Sequence, residues 1–271
     1  MSVGWLEIRQ QQRESLLQHL TATLAADNRF VAAWLVGSLG RETEDELSDL
    51  DVWVVVEDEY MPTIASERRN FVAQIAEPLL IQEMPGNAPA GGVYLLVLYP
   101  GKAGPQQVDW YWQPRALAQI PPRARLLFDR VNLSAAAQFV LSSDQAIARA
   151  SELIVIAWAM SFIVVKKIVR GETWTAVKMI STLQLEIDEM HALLADRWDG
   201  PLHSDRRTGS LPVDPAAQLA FLRRLTQELQ ALTSEIDRRD GEVPVTAARE
   251  VQQFIEMVQG TIDDWNPAPK T

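Results

Sequence analysis

The chain has 271 residues with a hydrophobic content of 47%, which is enough for one large or two ordinary domains with a substantial core. It has no cysteine, so disulfides, thiolate catalysis and cysteine-bound zinc are excluded, in agreement with a cytoplasmic location. Its formal net charge is −11 and no basic stripe runs along the sequence, which makes nucleic acid an unfavourable partner.

Export and membrane insertion are not expected. The N-terminal residues lack the basic and then apolar character of a signal peptide. The longest apolar stretch, residues 153–165, is about a third shorter than a bilayer span and is followed by two lysines. This stretch is therefore interpreted as a buried helix.

Hydrophobic periodicity predicts both helices and strands in the first half of the chain. Apolar residues at helical spacing indicate helices, whereas continuous or alternating apolar runs indicate strands. The predicted helices span residues 5–26 and 62–76, and the predicted strands span residues 31–36, 51–56, 93–99, 106–113 and 126–128. We expect the strand at residues 106–113 to pair antiparallel with the strand at residues 93–99.

The second half of the chain has only helical patterns, interrupted by glycines. The predicted helices span residues 144–170, 173–197, 215–240 and 245–265. The expected fold class is α+β, with a small mixed β-sheet flanked by helices in residues 1–132 and an all-α helical bundle in residues 133–271.

The segment of residues 31–56, VAAWLVGSLGRETEDELSDLDVWVVV, carries the strongest functional signal. Asp49 and Asp51 open its second apolar run, and residues two apart on a strand share a face, so their carboxylates can hold one cation. Carboxylate oxygens suit Mg²⁺, which completes its shell with water and substrate phosphates. Gly37 and Ser38, at the end of the first run, let the backbone approach an anion closely.

A plainer interpretation of this segment stays open. In it, Gly37-Ser38 is an ordinary turn and Asp49 is a helix cap beside a solvated Asp51. This interpretation does not explain why both acids lead directly into the apolar run of residues 52–56.

Asp109 is a single acid inside a strand pattern of valine, tryptophan and tyrosine. Burial of an uncompensated carboxylate costs several kcal/mol, so Asp109 must be paired, bound to a metal or placed on an open face. A structural ion pair with Arg115 is the alternative to a functional role.

Together, a hydrophobic strand, Gly37-Ser38, the Asp49-x-Asp51 motif and a later acid on another strand resemble the nucleotidyltransferase superfamily. That family includes polymerase beta and the adenylyltransferases that inactivate aminoglycoside and lincosamide antibiotics. The resemblance implies transfer of a nucleoside monophosphate from ATP, or another nucleoside triphosphate, to a hydroxyl group. It also implies that Asp49 and Asp51 hold two Mg²⁺ ions, that Asp109 holds the second ion or acts as a base, and that Ser38 fixes the triphosphate.

The segment of residues 165–180, VKKIVRGETWTAVKMI, resembles the small-molecule adenylyltransferase branch. This resemblance implies that Lys166 or Lys167 reaches the triphosphate. Adjacent residues on a helix are about 100° apart, so only one lysine can point straight into a cleft. Alternatively, both lysines are helix-end charges that complement the helix dipole.

Arg41 lies inside the motif loop, where it either neutralises phosphate charge or forms a salt bridge with Glu44 or Asp45. The loop is rich in acids, which favours a polycationic small-molecule acceptor such as an aminoglycoside.

Three alternatives to small-molecule transfer stay open. One is the same chemistry on a protein or on tRNA, as in the toxin-like branch. Another is a nucleotide-binding scaffold of the same fold without transferase activity, and the third is an unrelated α/β binding protein. The sequence does not determine the acceptor, the preferred base or the oligomeric state.

Overall fold

The computed structural model describes residues 4–137, 141–195 and 210–260. The chain divides into two compact units, Met1–Gln138 and Phe139–Thr271. The first unit combines a sheet with helices and the second is helical, which confirms the predicted α+β class. The predicted domain boundary after residue 132 stays a prediction. None of the helices in the described ranges is both long and apolar enough to cross a bilayer.

A six-stranded mixed sheet forms the centre of the N-terminal unit, with the strand order β3-β4-β5-β2-β1-β6. Strands β2 and β5 run parallel, and the other neighbouring strands run antiparallel. The antiparallel pairing predicted for β4 and β5 is confirmed. The strands are β1 Phe30–Leu35, β2 Leu50–Val56, β3 Leu80–Gln82, β4 Val93–Tyr99, β5 Gln106–Pro114 and β6 Arg125–Asp129.

Strand β3 was not predicted, because its three residues are too few to show an alternating pattern. It pairs with the outer edge of β4, and two of its three residues are exposed. Its apolar residues, Leu80 and Ile81, form a run too short to identify a strand.

Helices cover one face of this sheet. They are α1, Trp5–Ala26, and α3, Met61–Ile75, while α2, Gly37–Gly40, is a single turn between β1 and β2. Phe71 of α3 packs edge-to-face on Trp110 and Trp112 of β5, with ring centroids 6.0 and 6.5 Å apart. Because strand side chains alternate, the odd-numbered residues of β2, including Asp51 and Trp53, project from the opposite face.

On that opposite face, an aromatic row crosses four strands. Trp34, Trp53, Tyr111 and Tyr94 occupy paired positions on β1, β2, β5 and β4, and their successive ring centroids are 6.4, 4.9 and 4.9 Å apart. Aromatic and cross-strand contacts of this kind stabilise a sheet and pin its register. The row therefore fixes which residues of β2 and β5 lie side by side.

The C-terminal unit contains four long helices in its described part: α4 Ser143–Val169, α5 Thr173–Leu194, α6 Pro215–Arg238 and α7 Val245–Gln259. They correspond to the four predicted helices, whose predicted ends at residues 197 and 265 lie outside the described residues. Ser142 and Gln145 form a capping box at the start of α4. A buried hydrogen bond from Trp158 Nε1 to Thr233 Oγ1, 3.0 Å long, joins α4 to α6.

Candidate active site

The sheet places two of the predicted site residues side by side. Asp51 on β2 and Asp109 on β5 are paired residues of parallel neighbouring strands, about 4.8 Å apart in such a sheet. Paired residues project from the same face, so the two carboxylates are neighbours. Asp49 lies just before β2, and its negative charge acts on both Asp51 and Asp109. The fold therefore brings these three acids into electrostatic interaction, although Asp49 and Asp109 are 60 residues apart in the chain.

Burial and the repulsion of neighbouring charges make ionisation of Asp51 and Asp109 unfavourable. Burial, followed by the charges of Asp49 and Asp109, raises the pKa of Asp51 to about 7, and the charge of Arg41 opposes this change. The pKa of Asp109 is also raised, mainly by burial and further by Asp49, while hydrogen bonds from Tyr94 and Gln107 oppose it. A site of this kind is stabilised by a cation, because a cation favours the charged form of each carboxylate.

Within the described ranges, no three acidic or histidine side chains lie close enough together to hold a metal ion. The predicted set of Asp49, Asp51 and Asp109 as joint ligands therefore stays a prediction. Mg²⁺ usually needs only one or two protein carboxylates, since water and substrate phosphates supply the rest of its shell. Asp51 with one neighbouring acid meets that requirement.

Gly37 lies directly against Asp51. Its φ is +64°, and a Cβ added at this position would lie 1.9 Å from Oδ2 of Asp51. The preceding residue, Val36, donates its N–H to the carbonyl oxygen of Asp51 at 3.1 Å. Only glycine combines this left-handed conformation with so close an approach. The half-buried Ser38 follows on the same turn, so the Gly-Ser pair adjoins the acids.

Arg41 follows this turn and is exposed. Its positive charge partly offsets the rise in the pKa of Asp51, so Arg41 lies close enough to the acids to interact with them. In the described part of the chain, no ion pair joins Arg41 to Glu44 or Asp45. Asp45 instead accepts hydrogen bonds from the N–H of Leu47 and from Ser48 Oγ, each 3.0 Å long.

Asp109 has polar partners on its own sheet face. Gln107 Nε2 lies 3.3 Å from both carboxylate oxygens, and the Tyr94 hydroxyl also donates to Asp109. Arg115, the alternative partner considered for Asp109, forms its ion pair with Glu57 at 2.8 Å instead. Asp109 is therefore hydrogen-bonded but is not neutralised by Arg115.

Tyr94 was missed by the sequence analysis, although its strand was predicted. It is 3% exposed and lies diagonally across β4 and β5 from Asp109, since Tyr94 pairs with Tyr111 and Leu96 pairs with Asp109. Burial and the charge of Asp109 raise the pKa of Tyr94, so it stays a hydrogen-bond donor at neutral pH. Only the register of the two strands reveals this contact.

Arg13 was also missed, although its spacing carried a signal. It lies four, seven and eleven residues before Leu17, Leu20 and Leu24, the buried stripe of α1, and it is itself 3% exposed. A charged residue in phase with a buried apolar stripe needs specific partners. Its partners are carbonyl groups in the motif loop.

The two lysines predicted to bind nucleotide have local contacts in the C-terminal unit. The Lys166 ammonium lies 4.2 Å from the centroid of the Phe162 ring, and Lys167 Nζ pairs with Glu172 Oε2 at 2.7 Å. Both lysines are in the last turn of α4, as the helix-dipole alternative requires. Their contact with a triphosphate stays a prediction.

No protein-family model matches the chain, and no curated protein matches it. Among solved structures, it is similar to the STING-associated CdnE c-di-GMP synthase from Capnocytophaga granulosa, with 13% sequence identity and a TM-score of 0.31. The similarity covers 97% of this chain and 83% of that chain. A likeness at this level carries no argument about activity, which must rest on the geometry of the site.

Proposed function

We propose that the chain is a Mg²⁺-dependent nucleotidyltransferase that transfers a nucleoside monophosphate from ATP, or another nucleoside triphosphate, to a hydroxyl of a small molecule. The observation that carries this proposal is the pairing of Asp51 with Asp109, with Gly37 packed against the Asp51 carboxylate. Partly buried acids beside a glycine turn suit a cation and the phosphates that it accompanies.

Each residue of the site has a role in this proposal. Asp49 and Asp51 would hold Mg²⁺, which when bound neutralises phosphate charge and orients the reacting oxygens. Ser38 and the turn that begins at Gly37 support the triphosphate, and the exposed Arg41 adds positive charge. Asp109, whose pKa is raised, accepts the proton of the attacking hydroxyl or completes the ligand set.

The acidic loop between the two halves of the motif supports a cationic acceptor. Glu42, Glu44 and Glu46 are exposed, so their charges can raise the local concentration of a polyamine-like substrate. Aminoglycosides are therefore the first class to test and lincosamides the second, as the sequence resemblance also suggests. The carboxylate of Asp45 is less available to an acceptor, because it accepts hydrogen bonds from Leu47 N–H and Ser48 Oγ.

Calorimetric titration with ATP, with and without Mg²⁺, tests the nucleotide site, and α-labelled nucleoside triphosphates with a panel of acceptors test transfer. Mg²⁺-dependent binding together with a labelled acceptor supports the proposal. Mg²⁺-dependent binding without labelling of any small molecule, protein or RNA supports the scaffold alternative. Absence of Mg²⁺-dependent nucleotide binding contradicts both.

Replacement of Tyr94 by Phe is expected to lower kcat about tenfold with little change in nucleotide affinity. The variant removes a hydroxyl that donates to Asp109, and hydrogen bonds to charged groups contribute about 1.5–3 kcal/mol. The acid limb of the pH–rate profile should also move to higher pH, because the lost donor favoured the charged form of Asp109. Steady-state kinetics over pH measure both effects.

Tyr99→Phe is the matched control. Tyr99 is on the same strand, is 1% exposed and donates its hydroxyl to the Val72 carbonyl at 2.9 Å, in the core that packs against the helices. This variant should lose stability while kcat and the pH profile stay unchanged. Equal kinetic effects from the two variants would show that the role of Tyr94 is only structural.

The pKa of Asp51 predicts an unusual pH dependence of stability. Its folded-state pKa, about 7, lies above the ordinary value of 3.8, so between these values the folded state holds a proton that the unfolded state releases. The free energy of unfolding should therefore fall as pH rises from about 4 to about 7. Asp51→Asn should remove this fall and stabilise the metal-free protein at pH 8, by about 4 kcal/mol at most.

Thermal melts in EDTA from pH 5 to pH 8 measure this difference between Asp51→Asn and the unaltered chain. Added Mg²⁺ should raise the Tm of the unaltered chain at pH 8 but should leave the variant unchanged, because a bound ion stabilises only the state that holds it. Parallel pH profiles of the two proteins, or an equal response to Mg²⁺, would contradict the assignment.

A further inference from the structure

We propose that Arg13 is a positioning residue that fixes Asp49 through the turn Asp45–Ser48, named here the motif turn. This inference rests on the proposed function, since it assigns Arg13 a part in building the Mg²⁺ site. The hydrogen bonds of Arg13 go to backbone carbonyls and not to the proposed metal ligands. Arg13 acts on the backbone that immediately precedes Asp49.

The contacts of Arg13 converge on the two ends of the motif turn. Its Nη1 donates to the carbonyl oxygens of Asp45 at 2.5 Å and of Ser48 at 3.0 Å. The Ser48 carbonyl belongs to the peptide bond that leads into Asp49. The guanidinium therefore holds this peptide from the side of α1, in a position that is 3% exposed.

The motif turn is also closed from its exposed side. Asp45 Oδ1 accepts hydrogen bonds from Leu47 N and Ser48 Oγ, while the N–H of Asp45 lies 3.0 Å from Ser48 Oγ. Hydrogen bonds of this type define Asx and serine turns. The turn is thus a compact unit, and Arg13 joins it to a helix that is anchored in the core by Leu17, Leu20 and Leu24.

The chemistry of the side chain explains why arginine is suited to this position. A guanidinium carries five N–H donors in a rigid plane, whereas a lysine ammonium is a compact charge on a flexible stem. Both carbonyls are bonded by Nη1, whose two N–H bonds are fixed in the guanidinium plane, whereas a lysine ammonium keeps the charge but rotates on its stem and does not fix the direction of two donors. Asp49 directly follows the peptide that Arg13 holds, so loss of these hydrogen bonds widens the range of positions that the Asp49 carboxylate samples. A metal site tolerates little misplacement of its ligands.

The test compares Arg13→Lys with Arg9→Lys. Arg9 lies one helical turn earlier on α1 and also donates to a backbone carbonyl, that of Pro105 at 2.6 Å, but it does not contact the motif turn. Mn²⁺ serves as the probe, because it takes the same oxygen ligands as Mg²⁺ and its binding is followed by electron paramagnetic resonance. Amide hydrogen exchange of residues 45–50 reports the order of the turn.

We expect Arg13→Lys to weaken Mn²⁺ binding about tenfold and to accelerate exchange at residues 45–50, while Arg9→Lys changes neither. Ser48→Ala, which loosens the motif turn from its exposed side without altering a buried charge, should act in the same direction, by about threefold. Ser48→Ala is the variant that tests the inference if Arg13→Lys does not fold. Unchanged Mn²⁺ affinity in folded Arg13→Lys, or in Ser48→Ala when the former does not fold, overturns the inference alone. Absence of Mn²⁺ binding that depends on Asp51 in the unaltered chain overturns the proposed function as well.

Discussion

Replacement of Asp51 by Asn is expected to lower the rate of nucleotidyl transfer by at least about 10³-fold while the protein stays folded. Asparagine keeps the size of the side chain but removes the negative charge that balances a divalent ion. The loss should appear in kcat and in Mg²⁺ affinity together, because Asp51 lies beside Asp109 on the sheet and also interacts with the charge of Asp49. Single-turnover rates across a range of Mg²⁺ concentrations measure it.

Asp27→Asn is the control for this variant. The Asp27 carboxylate is balanced by Arg29, with a contact of 2.6 Å, and this pair accounts for the lowered pKa of Asp27 against the opposing effect of burial. Its loss should reduce stability without altering the rate. The two variants should therefore differ in both measurements: Asp51→Asn gains stability in EDTA and loses activity, whereas Asp27→Asn loses stability and keeps its activity. Full activity in Asp51→Asn would exclude the proposed metal site.

The second large effect is expected from Gly37→Ala, which should reduce transfer at least about 100-fold. The added Cβ would lie 1.9 Å from Asp51 Oδ2, far inside contact distance, so the carboxylate must move. A misplacement of about 1 Å can cost about 10²-fold in rate. The left-handed φ of +64° adds a cost of about 1–2 kcal/mol in stability for any residue with a Cβ.

Gly104→Ala separates these two causes. Gly104 also has a positive φ, +93°, but the nearest atom to an added Cβ is Arg9 Nη1 at 3.8 Å, which is ordinary contact. It should therefore lose stability through backbone strain and keep normal Mn²⁺ affinity, whereas Gly37→Ala should lose both. Comparable Mn²⁺ affinity in the two variants would show that Asp51 does not depend on the glycine.

Much of the fold was accessible from local patterns. Continuous apolar runs identified β2 and β4, and an alternating pattern identified β5, because a strand buried on both faces is apolar throughout whereas one with an open face alternates. Helical spacing identified α1 and the four helices of the second half in the same way. Strand β3 escaped because three residues at a sheet edge bury too little surface to leave a pattern.

The candidate site was accessible where chemistry is local. Gly37, Asp49 and Asp51 stand within one segment, so their spacing alone indicates a glycine turn beside paired acids. Asp109 was identifiable because an acid within an apolar strand needs a reason to be there. The partners of Asp109 were not identifiable from the sequence, which suggested Arg115. In the structure Arg115 pairs with Glu57, and Asp109 accepts hydrogen bonds from Gln107 and Tyr94.

The sequence by itself thus determined most elements of the fold and the candidate acids of the site, because periodicity and side-chain type are properties of neighbouring residues. Only the tertiary structure decided that β2 and β5 are parallel partners, and hence that Asp51 and Asp109 lie side by side. The tertiary structure alone showed that Tyr94 donates to Asp109 and that Arg13 donates to carbonyls of the motif turn. Strand register and helix-to-loop contacts join residues far apart in the chain, so no local pattern encodes them.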